Sequence, residues 1–353
     1  MSKSQFGGVQ EAVTMKVGTS VRGKGLSEVP VDTAQAEKLG YDFISTSETK
    51  HNPFLAAVLA SEHSTKMNVR TSIALAFARS PMDTAYMAWD LQGLAGGRFH
   101  LGLGSQVRGH IVRRFNMPWG RPAARMREYI LALRAIWASW QQGAKLDFRG
   151  DFYNFNLMPP FFDPGPIEYP DIKVYVAAVN ERMQQVAGEV SDGVLLHSFN
   201  TPKHTREVVL PNLEKGAAKA GKTLADLDIH GGGFIVTGAD DEELEARVRE
   251  AKSSISFYAS TRSYASVMNT HGWNDTAQKL YRMSVEGKWG QMGEHITDEM
   301  LEAFAVVGTY DNIVDRIKAR HGPYASSISF SIPIMSPEDG ERLREMIRRL
   351  KAD

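Results

Sequence analysis

Strand-like and helix-like segments alternate along most of this chain, and this alternation limits the fold more than any other feature. Short apolar runs each precede a segment whose apolar residues have helical spacing. The eight strand segments read MKVGTS, DFISTS, VRTSIALAF, RFHLGLG, IKVYVAA, DGVLLH, LDIHGGGFIVTG and SSISFSIP. Parallel strands need crossover connections, which are usually helices. The pattern therefore predicts an α/β protein, a (β/α)8 TIM barrel, with an open doubly wound sheet as the alternative.

Two longer stretches interrupt the alternation. LDFRGDFYNFN has the pattern of a β-hairpin, and five prolines between residues 159 and 170 predict a loop. Residues 257–304 have irregular helical spacing and lie outside the eight units. We therefore expect one barrel domain over residues 1–353, with insertions at about 145–171 and 257–304.

Composition restricts the partners of this chain. Lys and Arg number 41 and Asp and Glu number 41, so the net charge is zero and no nucleic-acid or anionic-membrane partner is expected. The absence of cysteine excludes disulfides, thiolate metal sites and a cysteine nucleophile. No apolar run reaches signal-peptide or transmembrane length. We expect a cytoplasmic protein that acts on a small molecule.

Residues 216–223, GAAKAGKT, match the Walker A pattern of nucleotide-binding proteins letter for letter. A phosphate-binding loop of this kind must follow a buried strand and open a helix. Here the motif follows helical apolar positions at Leu210 and Leu213, and a strand comes only after it. Gly221 suits a helix C-cap, and Lys222 suits the negative end of the helix dipole. We interpret the match as the end of a helix.

The carboxyl ends of the strands are where a barrel of this type builds its active site. Polar side chains follow two of these strands in particular. After strand two they are Glu48, Thr49, Lys50 and His51, and after strand four they are Ser105, Gln106, Arg108, His110, Arg113 and Arg114. Gly102 and Gly104 let the backbone of strand four run close to a ligand.

The arginines after strand four favour an anion site. Arg113 and Arg114 can hold a phosphate by charge-assisted hydrogen bonds. The alternative is an exposed helix start whose arginines pair with nearby acids. After strand five, Asn180 can begin a helix whose free N–H groups bind an anion, unless this is a simple strand-to-helix turn. His51 and His110 either line the pocket or lie on the surface, and His197 either lines the pocket or simply packs.

Several reaction classes lack the residues they need. No His-x-His and no His-Glu-x-x-His occurs, so no metal site is expected. Glu48 has no evident second carboxylate for glycoside hydrolysis, and no Gly-x-Ser-x-Gly is present. A pocket rich in amide, hydroxyl and basic groups suits an organic cofactor that carries the difficult chemistry.

A long stretch of the chain resembles a known family. SPMDTAYMAWDLQGLAGGRFHLGLG is similar to the hallmark of the luciferase-like monooxygenase superfamily, a proline-led helix, then Gly-Gly-Arg, then a strand ending Gly-x-Gly. FRGDFYNF, AGEVSDGVLLHSF and FAVVGTYDNIVDRI extend the similarity, which covers about Met15 to Pro333. TSETKHNPFL and GLGSQVRGHIVRRF resemble the branch that uses the deazaflavin coenzyme F420.

This resemblance implies a bacterial-luciferase-like barrel with the ring of F420, or alternatively FMN, at the carboxyl mouth. It implies a non-prolyl cis peptide within Ser72–Ile73–Ala74, and a homodimer formed through the helices after strands two and three. The expected cofactor-binding residues are Thr49, Ser72, Ile73, Ala74, Gly104, Ser105, Gln106, Arg113, Arg114, Ala177, Ala178, Val179 and Asn180. The candidate catalytic residues are His51, His110 and Glu48.

Two departures from the resemblance affect the mechanism. The sugar-phosphate dehydrogenases of this branch carry Asp-His after strand two and Glu after strand four, where this chain has Glu48–Thr49 and Val107. We therefore expect an F420-dependent oxidoreductase that transfers a hydride between the deazaflavin and another small organic substrate. The alternatives are a two-component FMN monooxygenase and a flavin-binding protein without catalysis. A required proton would move through His51 or His110, since imidazole titrates near neutral pH.

Overall fold

Eight parallel strands close into a barrel in the computed structural model, which describes residues 14–21 and 25–352. The strands are β1 (Lys16–Ser20), β2 (Phe43–Thr46), β3 (Asn68–Thr71), β4 (Phe99–Gly104), β5 (Lys173–Ala177), β6 (Gly193–Leu195), β7 (Asp228–His230) and β8 (Ser327–Ser329). Each strand pairs with the next along the chain, and β8 pairs with β1. The predicted (β/α)8 barrel is confirmed, and the open sheet is excluded.

Each barrel strand is followed by a helix that covers the outside of the sheet. The helices are α1 (Val29–Leu39), α2 (Pro53–Glu62), α3 (Pro81–Leu94), α4 (Pro122–Gln142), α5 (Glu181–Val190), α6 (Leu210–Lys219), α7 (Ile313–His321) and α8 (Pro337–Lys351). Their ends follow local chemistry. The Asn52 side chain accepts the Phe54 N–H at 2.9 Å to begin α2, and Gly40 ends α1 with φ +90°.

Further elements lie in the connections and insertions between these strands and helices. The helical ones are Leu26–Glu28, Ala76–Ala78, Arg108–Arg113, Pro160–Phe162, Pro202–His204, Leu224–Asp226, Arg262–Tyr264, Ala265–Thr270, Asn274–Val285, Trp289–His295 and Asp298–Phe304. A π-helical turn, Thr205–Val209, leads directly into α6. Phe148–Arg149 pairs antiparallel with Asn154–Phe155, which confirms the predicted hairpin. Ala74–Leu75 continues β3 and pairs with the end of β4.

The stretch LDIHGGGFIVTG contains two strands where the sequence pattern predicted one. Residues 228–230 form β7, and Phe234–Gly238 leaves the barrel to pair in parallel with Ala305–Thr309. Gly233 has φ +107°, a conformation that residues with a side chain rarely adopt, and it lies at this change of direction. The helix Asp241–Ala259 packs on this outer pair, so the chain leaves the barrel soon after β7.

The outer pair of strands has its own apolar cluster. Ile255, Met268, Leu280 and Phe304 are fully buried there, separate from the core between the barrel and its helices. Phe199, just beyond β6, also belongs to this cluster and stacks on Phe304 with ring centres 4.3 Å apart. The cluster therefore fixes the outer unit, which comprises the two outer strands and residues 241–304 between them, beside the carboxyl end of β6.

The Walker-like stretch is the end of α6, as the sequence indicated. The helix ends at Lys219, and Gly221 has φ +68°. The Lys222 ammonium donates to the carbonyl of Ser191 at 2.9 Å. None of the helices in the described part of the chain is long and apolar enough to cross a membrane.

Candidate cofactor and substrate site

Glycines occupy the inward positions at the carboxyl end of β4. Their neighbours leave no room for a side chain at either position. A Cβ added to Gly102 would lie 1.9 Å from the carbonyl oxygen of Thr71. A Cβ added to Gly104 would lie 2.2 Å from Cδ1 of Ile73. The Ile73 side chain therefore covers the end of β4 and forms an apolar shelf at the mouth of the barrel.

The peptide bond between Ser72 and Ile73 is cis and non-prolyl, which confirms the prediction for the end of β3. Backbone bonds hold this segment to the loop after β2. The Ser72 N–H donates to Thr46 at 2.6 Å, and the Glu48 N–H donates to the carbonyl of Ile73 at 3.1 Å. The residues predicted after β2 and after β3 thus lie next to each other.

Glu48 is held by partners on the segment that follows β3. Its two carboxylate oxygens accept from the two terminal nitrogens of Arg79 at 2.7 and 2.8 Å, and one of them also accepts the Leu75 N–H at 2.8 Å. The exposed fraction is 7% for the Glu48 side chain and 14% for Arg79. A carboxylate bound in this way fixes the position of the Ile73 shelf, since Leu75 lies two residues beyond it.

The segment after β4 turns sharply and then forms the short helix Arg108–Arg113. Gln106 has φ +57°, and its side-chain oxygen accepts the Val107 N–H at 2.9 Å. The Ser105 hydroxyl donates to the carbonyl of Gln106 at 3.2 Å. Both side chains therefore make local bonds that shape the turn at the mouth.

The short helix buries Ile111 and exposes the candidate basic residues His110, Arg113 and Arg114. Arg114 donates to the carbonyl of Thr49 at 3.0 Å, which joins this helix to the loop that carries His51. Within residues 14–21 and 25–352, neither Arg113 nor Arg114 forms an ion pair with an acid. The Arg113 guanidinium and the remaining N–H groups of Arg114 are therefore available to an anion.

The segment after β5 leads into α5 as predicted. Asn180 lies at the start of the helix, but its side chain does not cap the first turn. Ala178 is buried, and the carbonyl of Val179 accepts the side-chain N–H of Gln184 at 3.0 Å. The Ala177 side of this turn faces the mouth next to β4, because β4 and β5 are neighbours.

A cavity of about 160 Å³ lies at the carboxyl ends of β6, β7 and β8. Its lining comprises Leu196, Ser198, His230, Gly231, Gly232, Gly233, Ile235, His321, Ile328 and Ser329. Sequence reasoning named none of these residues as functional. Three successive glycines directly after a strand were the available signal, since such runs mark close approach of a ligand or of another chain segment.

His197 lies at the end of β6, where the sequence predicted it. Burial lowers the pKa of its imidazole to about 4. Its Nδ1 accepts the Phe199 N–H at 2.9 Å, and its Nε2 lies 3.2 Å from the Tyr264 hydroxyl. The ring also contacts Tyr258. His197 is thus built into the aromatic wall between the barrel and the outer unit.

The mouth has the features that a flat ring cofactor requires. The glycines of β4 and the Ile73 shelf leave a shallow apolar surface, and the buried hydroxyl of Ser45 on β2 lacks a partner among the described residues. No cluster of three or more His, Asp or Glu side chains within the described chain could hold a metal. The residues present therefore fit a tricyclic ring with a phosphate-bearing tail beside Arg113 and Arg114, which form no ion pair with an acid among the described residues.

A (β/α)8 barrel with this mouth has the luciferase-like architecture, and sequence comparison identifies the family directly. The chain belongs to the luciferase-like monooxygenase family, whose characteristic sequence matches residues 13–327. An uncharacterised protein of Mycobacterium tuberculosis is 46% identical over 284 residues, which cover 80% of this chain and 84% of that protein. The 5,10-methylenetetrahydromethanopterin reductase of Archaeoglobus fulgidus is 25% identical, with 90% of this chain and 93% of that protein covered.

Solved structures of two kinds share the fold. The coenzyme F420 dependent tetrahydromethanopterin reductase of Methanopyrus kandleri has a TM-score of 0.76 and 20% identity, and the match covers 95% of this chain and 98% of that one. A type II Baeyer–Villiger monooxygenase component of Pseudomonas putida, in complex with FMN, has a TM-score of 0.60 and 16% identity, with 89% and 91% covered. The same fold thus occurs in a coenzyme F420 dependent reductase and in an FMN-containing monooxygenase component.

Proposed function

We propose that this protein is a coenzyme F420-dependent oxidoreductase that transfers a hydride between the deazaflavin and a small organic substrate. The observation that supports a site for a ring cofactor is the mouth itself, where the Ile73 shelf covers the glycine end of β4 and the exposed Arg113 and Arg114 form no ion pair with an acid among the described residues. The reductase of Archaeoglobus fulgidus, related over 90% of this chain, supports hydride chemistry over oxygenation. When bound, the deazaflavin supplies or accepts the hydride at its ring carbon C5.

The residues of this chain would then bind and orient the ring and exclude water from one of its faces. Ile73 and the backbone of Gly104 would support one face, and the turn of Ser105 and Gln106 would border its edge. Arg113 and Arg114, or the free N–H groups at the start of α5, would hold the phosphate. The substrate would lie on the opposite face, toward the aromatic wall that contains His197.

Proton transfer, if the reaction needs it, falls to an exposed histidine. His51 lies in the loop after β2, and His110 lies in the short helix after β4. Arg114 links these two segments through the carbonyl of Thr49, so either imidazole would serve at that side of the mouth. Glu48 is a weaker candidate for proton transfer, because Arg79 and the Leu75 N–H bind its carboxylate.

A two-component FMN monooxygenase is the second candidate function. The fold shared with an FMN-bound Baeyer–Villiger monooxygenase component favours it. Both cofactors present a tricyclic ring and a phosphate, so the same shelf and the same arginines serve either one. A flavin-binding protein without turnover would use this site as well, and it would retain the cofactor under any reductant.

Cofactor titration separates these functions. The purified protein is titrated with F420 and, separately, with FMN, and ring fluorescence is followed. We expect tight binding of F420, little binding of FMN, and reduction or oxidation of bound F420 when substrates are supplied. Tight binding of FMN with no binding of F420 would refute the proposal in favour of the monooxygenase.

A further inference from the structure

Arg70 on β3 is a cation buried inside the barrel. It is 2% exposed, and its guanidinium lies 4.1 Å above the ring of Phe43 and 5.5 Å from the ring of Tyr175. Within the part of the chain that the structure describes, Arg70 has no ion pair and its Nε has no hydrogen-bond partner. Burial lowers the pKa of Arg70 to about 10, so it stays charged at neutral pH. Burying a charge without an ion-pair partner costs free energy, so we expect Arg70 to have a function that offsets this cost.

The guanidinium of Arg70 determines which nitrogen of His230 carries the proton. One Arg70 nitrogen lies 3.4 Å from Nδ1 of His230, and the Ser327 hydroxyl lies 3.1 Å from the same atom. A guanidinium only donates, so Nδ1 must accept. Burial, Arg70 and His321 hold the pKa of His230 well below its usual range. A neutral imidazole whose Nδ1 accepts carries its hydrogen on Nε2.

His230 and Ser329 meet at the wall of the cavity at the carboxyl ends of β6, β7 and β8. Nε2 lies 3.3 Å from the hydroxyl of Ser329, and both residues line that cavity. The other lining groups are mostly apolar side chains and glycine backbone, and the described lining contains no Asp, Glu, Lys or Arg. The cavity thus offers directed donors without a charge of its own.

From this geometry we infer that the cavity is a binding site for a carbonyl oxygen, with His230 Nε2–H and the Ser329 hydroxyl as its donors. Arg70 is the positioning residue that keeps the imidazole in the donating tautomer. The positive guanidinium behind the ring strengthens donation to an oxygen that carries partial negative charge. The Asp228 carboxylate, which accepts from Tyr175 at 2.6 Å, offsets part of that charge, so a neutral carbonyl fits better than a carboxylate.

Two kinds of molecule could supply this oxygen, and the assignment of the ligand rests on the proposed function. The deazaflavin ring bears carbonyl groups, and so does a ketone substrate. In either case the donors would stabilise negative charge that develops on the oxygen as the molecule is reduced. The hydrogen-bond relay, by which we mean the contacts from Arg70 to His230 and from His230 to Ser329, depends only on residues of this chain.

Nitrogen-15 NMR of histidine-labelled protein tests the relay without any turnover. The chain has 10 histidines, and the loss of one signal in His230→Gln assigns His230. We expect the pattern of a neutral imidazole protonated at Nε2, and a shift toward a mixture of tautomers in Arg70→Met. A His230 protonated at Nδ1, or one that is cationic at neutral pH, would overturn the inference. If Arg70→Met fails to fold, the nitrogen-15 shifts of His230 in the wild-type protein are sufficient to test the inference.

Three ligand additions then identify the source of the oxygen. F420 is added to one sample, cyclohexanone to a second, and cyclohexanecarboxylate to a third. A change in the His230 signal with F420 assigns the carbonyl to the cofactor, and a change with cyclohexanone alone assigns it to the substrate. No change with either, or a stronger response to the carboxylate, refutes a carbonyl site. If FMN binds in place of F420, the proposed function fails while the relay is still tested with cyclohexanone.

Matched substitutions at His230 measure what the donor contributes. His230→Gln keeps an N–H near the position of Nε2, whereas His230→Leu keeps the volume without a donor. We expect His230→Leu to weaken binding of the responding carbonyl ligand about tenfold, or about 1.4 kcal/mol, and His230→Gln to weaken it much less. Equal affinities in the two variants would contradict a role for the donor. Ser329→Ala, at an exposed position, should show a smaller loss than His230→Leu.

Discussion

At the scale of single residues, Arg113 and Arg114 provide a sharp test of the cofactor site. If they bind the phosphate, each charge-assisted bond contributes roughly 1.5–3 kcal/mol, so Arg113→Ala or Arg114→Ala should weaken F420 binding about tenfold or more. Turnover at saturating cofactor should change less, because the phosphate is remote from the reacting ring. His51→Ala and His110→Ala should show the opposite balance. Fluorescence titration and steady-state kinetics measure both effects.

Arg348→Ala is the matched control for those variants. Arg348 lies on α8 in a surface pair with Glu345, far along the chain from the mouth, and its side chain is 70% exposed. The Arg348→Ala variant should leave the Kd for F420 unchanged. A double variant of Arg113 and Arg114 that binds F420 as tightly as the wild type would leave these arginines as solvated surface. The phosphate would then bind at the Asn180 helix start.

Substitution of Glu48 tests whether its carboxylate has a catalytic or a structural role. Glu48→Ala leaves the largely buried Arg79 without its partner, and breaking a buried pair in this way costs roughly 3–5 kcal/mol. We expect a marked loss of stability in urea unfolding followed by circular dichroism. Glu345→Ala, which breaks the exposed pair with Arg348, should leave the stability almost unchanged, because solvent screens such a pair. Unchanged stability of Glu48→Ala with turnover abolished would instead assign Glu48 to catalysis.

At the scale of elements, the contact between β4 and the segment after β3 is decisive. In Gly104→Ala the new methyl group would displace Ile73, whose Cδ1 lies 2.2 Å from the Cβ position. We expect F420 binding to weaken by about tenfold, equal to 1.4 kcal/mol, with the barrel still folded. Cofactor titration and circular dichroism measure the two properties. If F420 binds normally, the shelf is not part of the site.

Gly93→Ala provides the control for an added methyl group. Gly93 lies in α3, and nothing is within 4 Å of the position its Cβ would take. Replacing a helical glycine by alanine generally stabilises a protein by about 0.4–1 kcal/mol. We expect slightly higher stability and unchanged cofactor binding, which would separate the effect at Gly104 from a general effect of replacing glycine.

At the scale of the whole molecule, buried histidines make stability depend on pH. Burial lowers the pKa of His100, His197, His204 and His321, each to about 4. Their pKa in an unfolded chain is about 6.5, so between these values the unfolded state binds more protons. Stability should therefore fall as the pH falls through this window. Urea unfolding at about pH 7.5 and about pH 5 measures it, and equal unfolding free energies would contradict the prediction.

We also propose that the molecule is a homodimer. Leu55 and Val58 on α2 are 54% and 40% exposed, and Leu94 at the end of α3 is 51% exposed, so the helices after β2 and β3 present apolar side chains to solvent. Light scattering at micromolar concentration should give the mass of two chains. Leu55→Glu with Val58→Glu should give a folded monomer. A wild-type monomer under the same conditions would contradict the proposal.

The sequence by itself determined the features that depend on neighbouring residues. The eight strand segments, the Gly40 end of α1 and the Gly221 turn after α6 all follow from spacing and local backbone preference. The resemblance added the cis peptide at Ser72–Ile73. The strand segments and the two glycine positions could be predicted because their causes lie within a few residues of each other.

Only the tertiary structure decided the partners that the closed barrel brings together. Arg79 lies 31 residues from Glu48, and Arg70 lies 160 residues from His230, so no local pattern could pair them. The strand Phe234–Gly238 was missed for the same reason, since its partner Ala305–Thr309 lies across the whole insertion. Hydrogen bonds, burial and tautomers depend on which groups are in contact. Closure of the barrel determines these contacts between residues that are distant in the sequence.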